Sequence, residues 1–411
     1  MASTTTPNTV PGLFKEIYAE SGLVNALPDF AILQKRVPFR ESEMTGDKYV
    51  VGVKLQYEHG FSYGPSSGAN TLLTLNAAVA GYIGRAQVEG YQIVLRSRID
   101  YASAFKASQK GKKAFAQAYQ ALMENMKESF SKRQELSLLY GQQGLGEVLT
   151  NTAGALVLTS ASFAPGTFAG MKDAVLEAWT TQASVAVQHN ADLTIASIDV
   201  ATRTVTVTGT SAAVVPGDHL YFKGARTASG YNECAGVDKI LSNTGTLFNI
   251  NAATYELWRA QTYNVGGAIT LSAILQAINS AINFGLMEDV EVLLSPKQWA
   301  VLNNNEAALR VYDSSYQPAK AERGNEGIVY HSGNGRIEIM SHPFVKEGEG
   351  FIIPMSKLKR IGAADISFAA PGGGDMVVQV ADQSAWEIRA FSDQAPFIET
   401  PAQCVKLTGI V

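Results

Sequence analysis

The chain has 411 residues, 46% of them hydrophobic and 17% charged, with a formal net charge of −4 and two cysteines. This composition excludes a disordered chain and a disulfide-stapled scaffold, and two distant cysteines, Cys234 and Cys404, exclude a four-cysteine zinc site. The small net charge gives no global pull toward nucleic acid or an anionic membrane, and the length allows two or three domains around a large core.

The first residues, Met-Ala-Ser-Thr-Thr-Thr-Pro, have no basic region leading into an apolar run, so no signal peptide is expected. Residues 1–12 read as a flexible end, Leu13–Tyr18 as a short amphipathic helix, and the rest of an N-terminal arm (1–47) as irregular, with Pro28 and Pro38 limiting helix. Tyr49, Val51, Val53 and Leu55 then alternate with Val50, Gly52, Lys54 and Gln56, the period of a strand. A loop tip follows at Gly60–Gly68, and a strand-like return runs from Gln87 to Asp100, closing an extended hairpin over 48–100. Its apolar stretch, Leu72–Ile83, is too short to span a bilayer and is interrupted by Thr74 and Asn76.

Ala104–Tyr140 reads as one helix of about 37 residues, about 55 Å long. Phe115, Ala118, Tyr119, Leu122, Met126 and Phe130 form its apolar stripe. Lys106, Lys110, Lys112 and Lys113 oppose the helix dipole at the beginning and move the expected start toward Lys113. Gly141–Gly146 ends it. A second helix is expected over Ala169–Val187, with Met171, Val175, Trp179 and Ala183 on one face. Leu193–Ile198 and Thr204–Thr208 alternate as strands, and Pro216-Gly-Asp218 turns the chain into Leu220-Tyr-Phe222, which together suggest a β-rich insert over about 190–262. Helix returns at Thr270 with Leu271, Ile274, Leu275, Ile278 and Ile282 on one face, and Gly285 stops it. Val290–Leu294 is a short buried strand. Ser295-Pro-Lys-Gln298 matches a capping box with proline at the first helical position, and the helix it starts is expected to end at Asn303-Asn-Asn305. Residues 312–335 read as an exposed polar loop, and strands dominate from Arg336, including Val377–Val380 and Ala385–Ala390.

Little in this chain carries chemistry. Gly64-Pro-Ser-Ser-Gly68 fits a nucleophile-elbow pattern around Ser66, but that motif needs a strand before and a helix after it, and here it sits at a loop tip with Pro65 inside. His59, His189, His219, His331 and His342 show no metal-ligand spacing and are expected in loops or at the surface. Gly144-Leu-Gly146 and Gly333-Asn-Gly335 lack the strand, third glycine and helix of a dinucleotide loop. Glu288, Asp289 and Glu291 read as solvated surface, and the lysines at 106–113 as a solvated helix start more than a phosphate contact. No catalytic, cofactor or metal site is expected.

A different resemblance appears from Pro216 onward. Pro216-Gly-Asp-His-Leu-Tyr-Phe-Lys-Gly-Ala225, Asn232-Glu233, Gly236, Gly245-Thr-Leu-Phe-Asn-Ile250 and Thr254-Tyr-Glu-Leu-Trp-Arg-Ala260 resemble the inserted segment of many tailed-bacteriophage major capsid proteins. Ser295-Pro-Lys-Gln-Trp299, His342-Pro-Phe344 and the order of elements are similar to that family as well. The resemblance implies an α+β chain with the Hong Kong 97-type capsid fold. Its parts would be an N-terminal arm (1–47), an extended loop (48–100), a spine helix of the peripheral domain (101–146), an axial domain (147–370) carrying the insert, and closing peripheral strands (371–411).

It also implies self-assembly into hexamers and pentamers of an icosahedral head around double-stranded DNA, in a virion built in the bacterial host cytoplasm. Further implied partners are a separate scaffolding protein (about 40 residues precede the loop), a portal protein, a decoration or cement protein, and DNA held by weak non-specific contacts. Lys48 and Lys54 lie at the loop's base, so no lysine crosslink from the tip is expected. An encapsulin-like compartment shell is the alternative on the same fold, and a hydrolase using Ser66 is the alternative from another class.

The physical basis of the capsid reading is the arm. A two-stranded ribbon has almost no core and is marginal alone, so it needs support, and a second copy of the chain is the expected support. Tyr57, Phe61 and Tyr63 are the candidate anchors of that contact, since aromatic side chains supply much interface energy. The bland alternative is that they stabilise only the hairpin. Arg96 and Arg98 on the return strand are expected to pair with acids of a neighbour, setting register more than strength.

Overall fold

A computed structural model of the chain describes residues 31–40, 48–64, 73–100, 112–310, 328–332, 335–368, 377–379 and 384–411, with backbone alone at 100, 112–121, 306–310, 328, 331–332 and 377–378. The expected helix at Leu13–Tyr18, the loop-tip Ser66, and Lys106 and Lys110 lie outside the described residues.

In chain order, helix α1 (Ile32–Arg36) and strand β1 (Phe39–Arg40) lead into a ribbon of β2 (Tyr49–Lys54) and β3 (Ile83–Val88). Strand β4 (Tyr91–Asp100) and the long helix α2 (Lys112–Tyr140) follow. Next come β5 (Gly146–Thr152), β6 (Ala155–Leu158), the single turn α3 (Pro165–Phe168), β7 (Val175–Trp179), β8 (Gln188–Asp199), β9 (Thr204–Thr208) and β10 (His219–Phe222). These six strands close into a barrel in the order β10-β5-β6-β9-β8-β7. Thr-Val alternation makes β9 one-sided, so Val205 and Val207 point inward with Leu156, Leu176, Leu193, Ile195 and Leu220.

Two short ribbons, β11 (Arg226–Thr227) with β12 (Gly230–Tyr231) and β13 (Thr246–Leu247) with β14 (Ile250–Asn251), flank helix α4 (Val237–Leu241). The chain then builds β15 (Gln261–Gly267), α5 (Leu271–Ile282), β16 (Val290–Leu294), α6 (Pro296–Arg310), β17 (Ile328–Ser332), β18 (Gly335–Ser341) and β19 (Gly350–Ile353). It finishes with β20 (Leu358–Ser367), β21 (Val377–Gln379), β22 (Ala385–Ile398) and β23 (Val405–Ile410). A six-stranded mixed sheet runs β15-β23-β19-β16-β18-β17, and a second sheet runs β1-β20-β22-β21 with β4 on the far side of β22.

Helix α5 follows its pattern closely. The Thr270 hydroxyl accepts from the Ala273 N–H at 3.2 Å, Ile274, Ala277, Ile278 and Ala281 are buried, and Gly285 takes φ +90, which only glycine adopts without strain. At α6 the Ser295 hydroxyl accepts from the Gln298 N–H at 3.3 Å, but the Gln298 amide donates to the Glu347 carbonyl, so the box is only half closed. The helix also runs through the three asparagines to Arg310.

Other expectations are corrected. The helix expected over Ala169–Val187 is absent; Val175–Trp179 is strand β7, paired with β8 on one side and β10 on the other. Its Leu176, Glu177, Ala178 and Trp179 are all buried, and closure of the barrel overrides a weak four-residue spacing. The β-rich unit accordingly begins at Gly146, not near 190. The return strand expected over Gln87–Asp100 is two strands broken at Glu89-Gly90, where a Cβ on Gly90 would lie 1.9 Å from Asp393 Oδ1. The last strand, β23, pairs with β15 and β19 in the six-stranded sheet, so the segment 371–411 divides between the two sheets.

Candidate assembly surface

The arm is built on one firm end and one bare end. At its base β2 and β3 pair from Tyr49↔Val88 to Lys54↔Ile83, and Leu55 N–H donates to the Tyr82 carbonyl at 2.9 Å. Tyr49, Leu55, Ala86 and Val88 pack with Ile250, Trp258 and Phe397. The Tyr49 ring meets Phe397 edge-on at 5.9 Å, and Tyr82 stacks on Tyr255 at 4.6 Å. Gly84 permits this contact, since a Cβ there would stand 2.7 Å from Leu55 Cδ1 and 3.1 Å from Ile250 Cδ1.

Beyond the base, the pairing among the described residues thins to one bridge, His59 with Val79, the Asn76 side-chain amide donating to the Phe61 carbonyl at 2.8 Å, and the Asn76 N–H donating to the Ser62 hydroxyl at 2.7 Å. Here Tyr57 is 79% exposed, Phe61 70%, Tyr63 88% and Leu75 76%. Leu73, Val79, Tyr82 and Ile83 are exposed as well. The three aromatics named from the sequence therefore share one limb of a ribbon whose apolar side chains face outward.

The two arginines separate. Arg98 stands opposite Glu387 in the β4–β22 register and donates to its Oε2 at 3.2 Å, while Arg389 donates to Oε1 at 2.7 Å. Hydrogen bonding from Arg389 and then Arg98 holds the Glu387 carboxyl below the usual range, against the effect of burial. Arg98 thus has an acidic partner in its own chain, whereas Arg96 is exposed and stands opposite Arg389.

Sequence reasoning missed two features of the body. The first is the fully buried pair of Glu135 and His342, 3.0 Å apart, which corrects the expectation that His342 lies at the surface. Its signal was a carboxylate placed directly before the apolar run Leu136–Tyr140. The second is a cleft of about 670 Å3 between β4, helix α2 and the barrel. Gln92, Ile93, Val94 and Leu95 line one side, Phe130 and Arg133 another, with Phe222 and Glu233 opposite. Burial pushes the Glu233 carboxyl up to about 7, against a hydrogen bond from the Gln142 N–H. Burial lowers Lys132 to about 8 and Arg133 to about 10, and the Arg133 guanidinium lies 3.1 Å from the centroid of the Phe222 ring.

Among the described residues no group of three His, Cys, Asp or Glu side chains could hold a metal ion, and both cysteines are buried, with burial pushing the Cys234 thiol up to about 12.

No family model matches the sequence, and no curated protein matches it either. Solved structures do match along nearly the whole chain. The capsid asymmetric unit of cyanophage A-1(L) is 12% identical with a TM-score of 0.52, covering 96% of this chain and 96% of that one. The capsid of a native GTA particle is 6% identical with a TM-score of 0.51, covering 96% of this chain and 95% of that one. The ribbon, long helix, β-barrel and two sheets are therefore those of a known architecture: the chain has the Hong Kong 97-type fold of phage capsid proteins.

Proposed function

We propose that this chain is the major capsid protein of a tailed phage, a structural shell subunit that assembles with copies of itself. The observation that carries the reading is the arm: a ribbon anchored at its base by Tyr49, Leu55 and Tyr82, with Tyr57, Phe61, Tyr63 and Leu75 turned to solvent. Large apolar side chains grouped on a thin projection mark an interaction surface, and the fold is one that capsids use.

On this reading the copies form hexamers and pentamers of a closed head around double-stranded DNA. A separate scaffolding protein, a portal protein and a decoration protein are its partners, and DNA touches the inner wall weakly. The virion is its destination, and it forms in the host cytoplasm. Symmetric repetition closes the shell, and each subunit is held through many modest contacts. No catalytic step belongs to this function.

Electron microscopy of the purified chain, concentrated alone and with its phage's scaffolding protein, tests it. Closed particles of uniform diameter are expected. A monomer that builds nothing under either condition contradicts the proposal.

A further inference from the structure

The cleft between β4, helix α2 and the barrel encloses about 670 Å3. Pockets that hold small molecules measure about 300–1,000 Å3. Much of its wall is apolar, with Ile93 and Leu95 on β4, Phe130 on α2, and Met171 just after the α3 turn.

One charge in this wall has no acceptor. The Arg133 guanidinium lies 3.1 Å from the centroid of the Phe222 ring and donates no hydrogen bond to any described residue. Burial lowers it to about 10, the behaviour of a guanidinium deprived of water. Its neighbours in the cleft do not supply the missing acceptor. Glu233 acts on it through charge alone, and the Glu233 Oε1 accepts instead from the Gln142 N–H at 2.7 Å. Glu128 lines the cleft as well and forms no ion pair with Arg133. The two lysines there are engaged elsewhere, Lys132 with the Ala169 carbonyl and Lys223 with Asp192.

A guanidinium presents five donors in a planar fork that matches the two oxygens of one carboxylate. A buried polar group left without a partner is uncommon and calls for an explanation. Apolar walls around one unmatched cation suit a molecule of the opposite make-up, an anionic head on an apolar tail.

We infer that the cleft is a binding site for an anionic amphiphile, an alkyl carboxylate of the fatty-acid type, with its carboxylate on the fork of Arg133 and its chain along Ile93, Leu95 and Phe130. The site lies within one chain and is independent of the shell reading.

Calorimetric titration of the unassembled chain with decanoate, held below its micelle concentration, tests this. One saturable site per chain is expected. Decanol carries the same tail without the charge, and inorganic phosphate carries charge without a tail. Each should bind about tenfold or more weakly than decanoate, since a charge-assisted hydrogen bond or the apolar contact is missing. Arg133→Gln should weaken decanoate by about tenfold or more and leave decanol unchanged. No saturable binding of decanoate, equal binding of decanoate and decanol, or full affinity in Arg133→Gln overturns the site. The comparison of decanoate with decanol is made on the parent chain, so it decides even where Arg133→Gln does not fold. Either result leaves the shell reading standing, because no particle enters the measurement.

Discussion

The Glu135 carboxylate and the His342 imidazole meet at 3.0 Å with no exposure to solvent. The Phe344 N–H donates to His342 Nδ1 at 3.2 Å, so the ring proton sits on Nε2 and is donated to Glu135. The same carboxylate accepts from the backbone N–H groups of Leu33 and Gln34. One side chain of helix α2 thus ties α1 to the turn that follows β18. Removing the Glu135 carboxylate leaves two buried donors, the His342 Nε2–H and the Leu33 N–H, without their acceptor, a loss of about 1–3 kcal/mol for each. Glu135→Ala should lower the unfolding free energy of the unassembled subunit by about that amount, seen as a lower urea midpoint. An unchanged midpoint would show that the junction is not held there.

Arg36 makes a second tie of a different kind. Glu291 and Glu338 stand directly opposite each other on β16 and β18, and Arg36 reaches both, at 2.6 and 3.1 Å. Like charges opposite each other on a sheet repel, and a bridging guanidinium relieves this. Because the pairs are partly exposed, Arg36→Ala should cost about 1 kcal/mol, and less in high salt. Melting measured at low and high salt checks it; a salt-independent loss would point to packing instead.

Gly141 closes α2 where another segment comes too near for a side chain. A Cβ there would lie 2.2 Å from the Cys234 carbonyl, and Gly236 N–H donates to the Gly141 carbonyl at 2.9 Å. Gly141→Ala should destabilise by about 1–3 kcal/mol, as overpacking does. Its denaturant midpoint should therefore fall well below that of a control such as Gly245→Ala, where a Cβ meets nothing within 4 Å.

Glu233, which lines the cleft, and His219 on β10 titrate in opposite senses. Burial raises Glu233 from 4.5 to about 7, so between those values the folded state binds the extra proton and stability falls as pH rises. Burial, then the charges of Lys346 and Arg226, lower His219 from 6.5 to about 4; there the unfolded state binds the extra proton and stability rises with pH. The parent protein should therefore show a shallow profile over pH 4.5–6.5. Glu233→Gln should steepen the rise, and His219→Asn should reveal a fall that continues to about pH 7. Parallel profiles for all three would contradict both assignments.

The readable parts of this chain were those set by neighbours in sequence. The Thr-Val alternation of β9, the Thr270 cap with the Ile274–Ile278 face of α5, and the Tyr49–Leu55 limb of the arm all announce themselves locally. The element order likewise pointed to the capsid fold. What was not readable depends on distant partners. β7 is a strand because β8 and β10 flank it, and the three are joined by loops with no strong pattern. β4 ends the ribbon and joins a sheet whose other strand, β22, lies almost three hundred residues away. Arg98 looked free for a neighbour because Glu387 is equally remote, and the buried pair of Glu135 and His342 joins side chains 207 residues apart.

The most direct test of the shell reading removes the arm alone. Gln56 and Gly81 already face each other, with a Cβ on Gly81 only 2.7 Å from the Gln56 carbonyl oxygen, so deleting residues 58–80 shortens the ribbon without stretching its base. Sedimentation and electron microscopy of this variant beside the parent should show a folded subunit with the parent's melting temperature and no closed particles. Particles of the parent's size, built by the shortened chain, would contradict the claim that the arm joins one copy to the next.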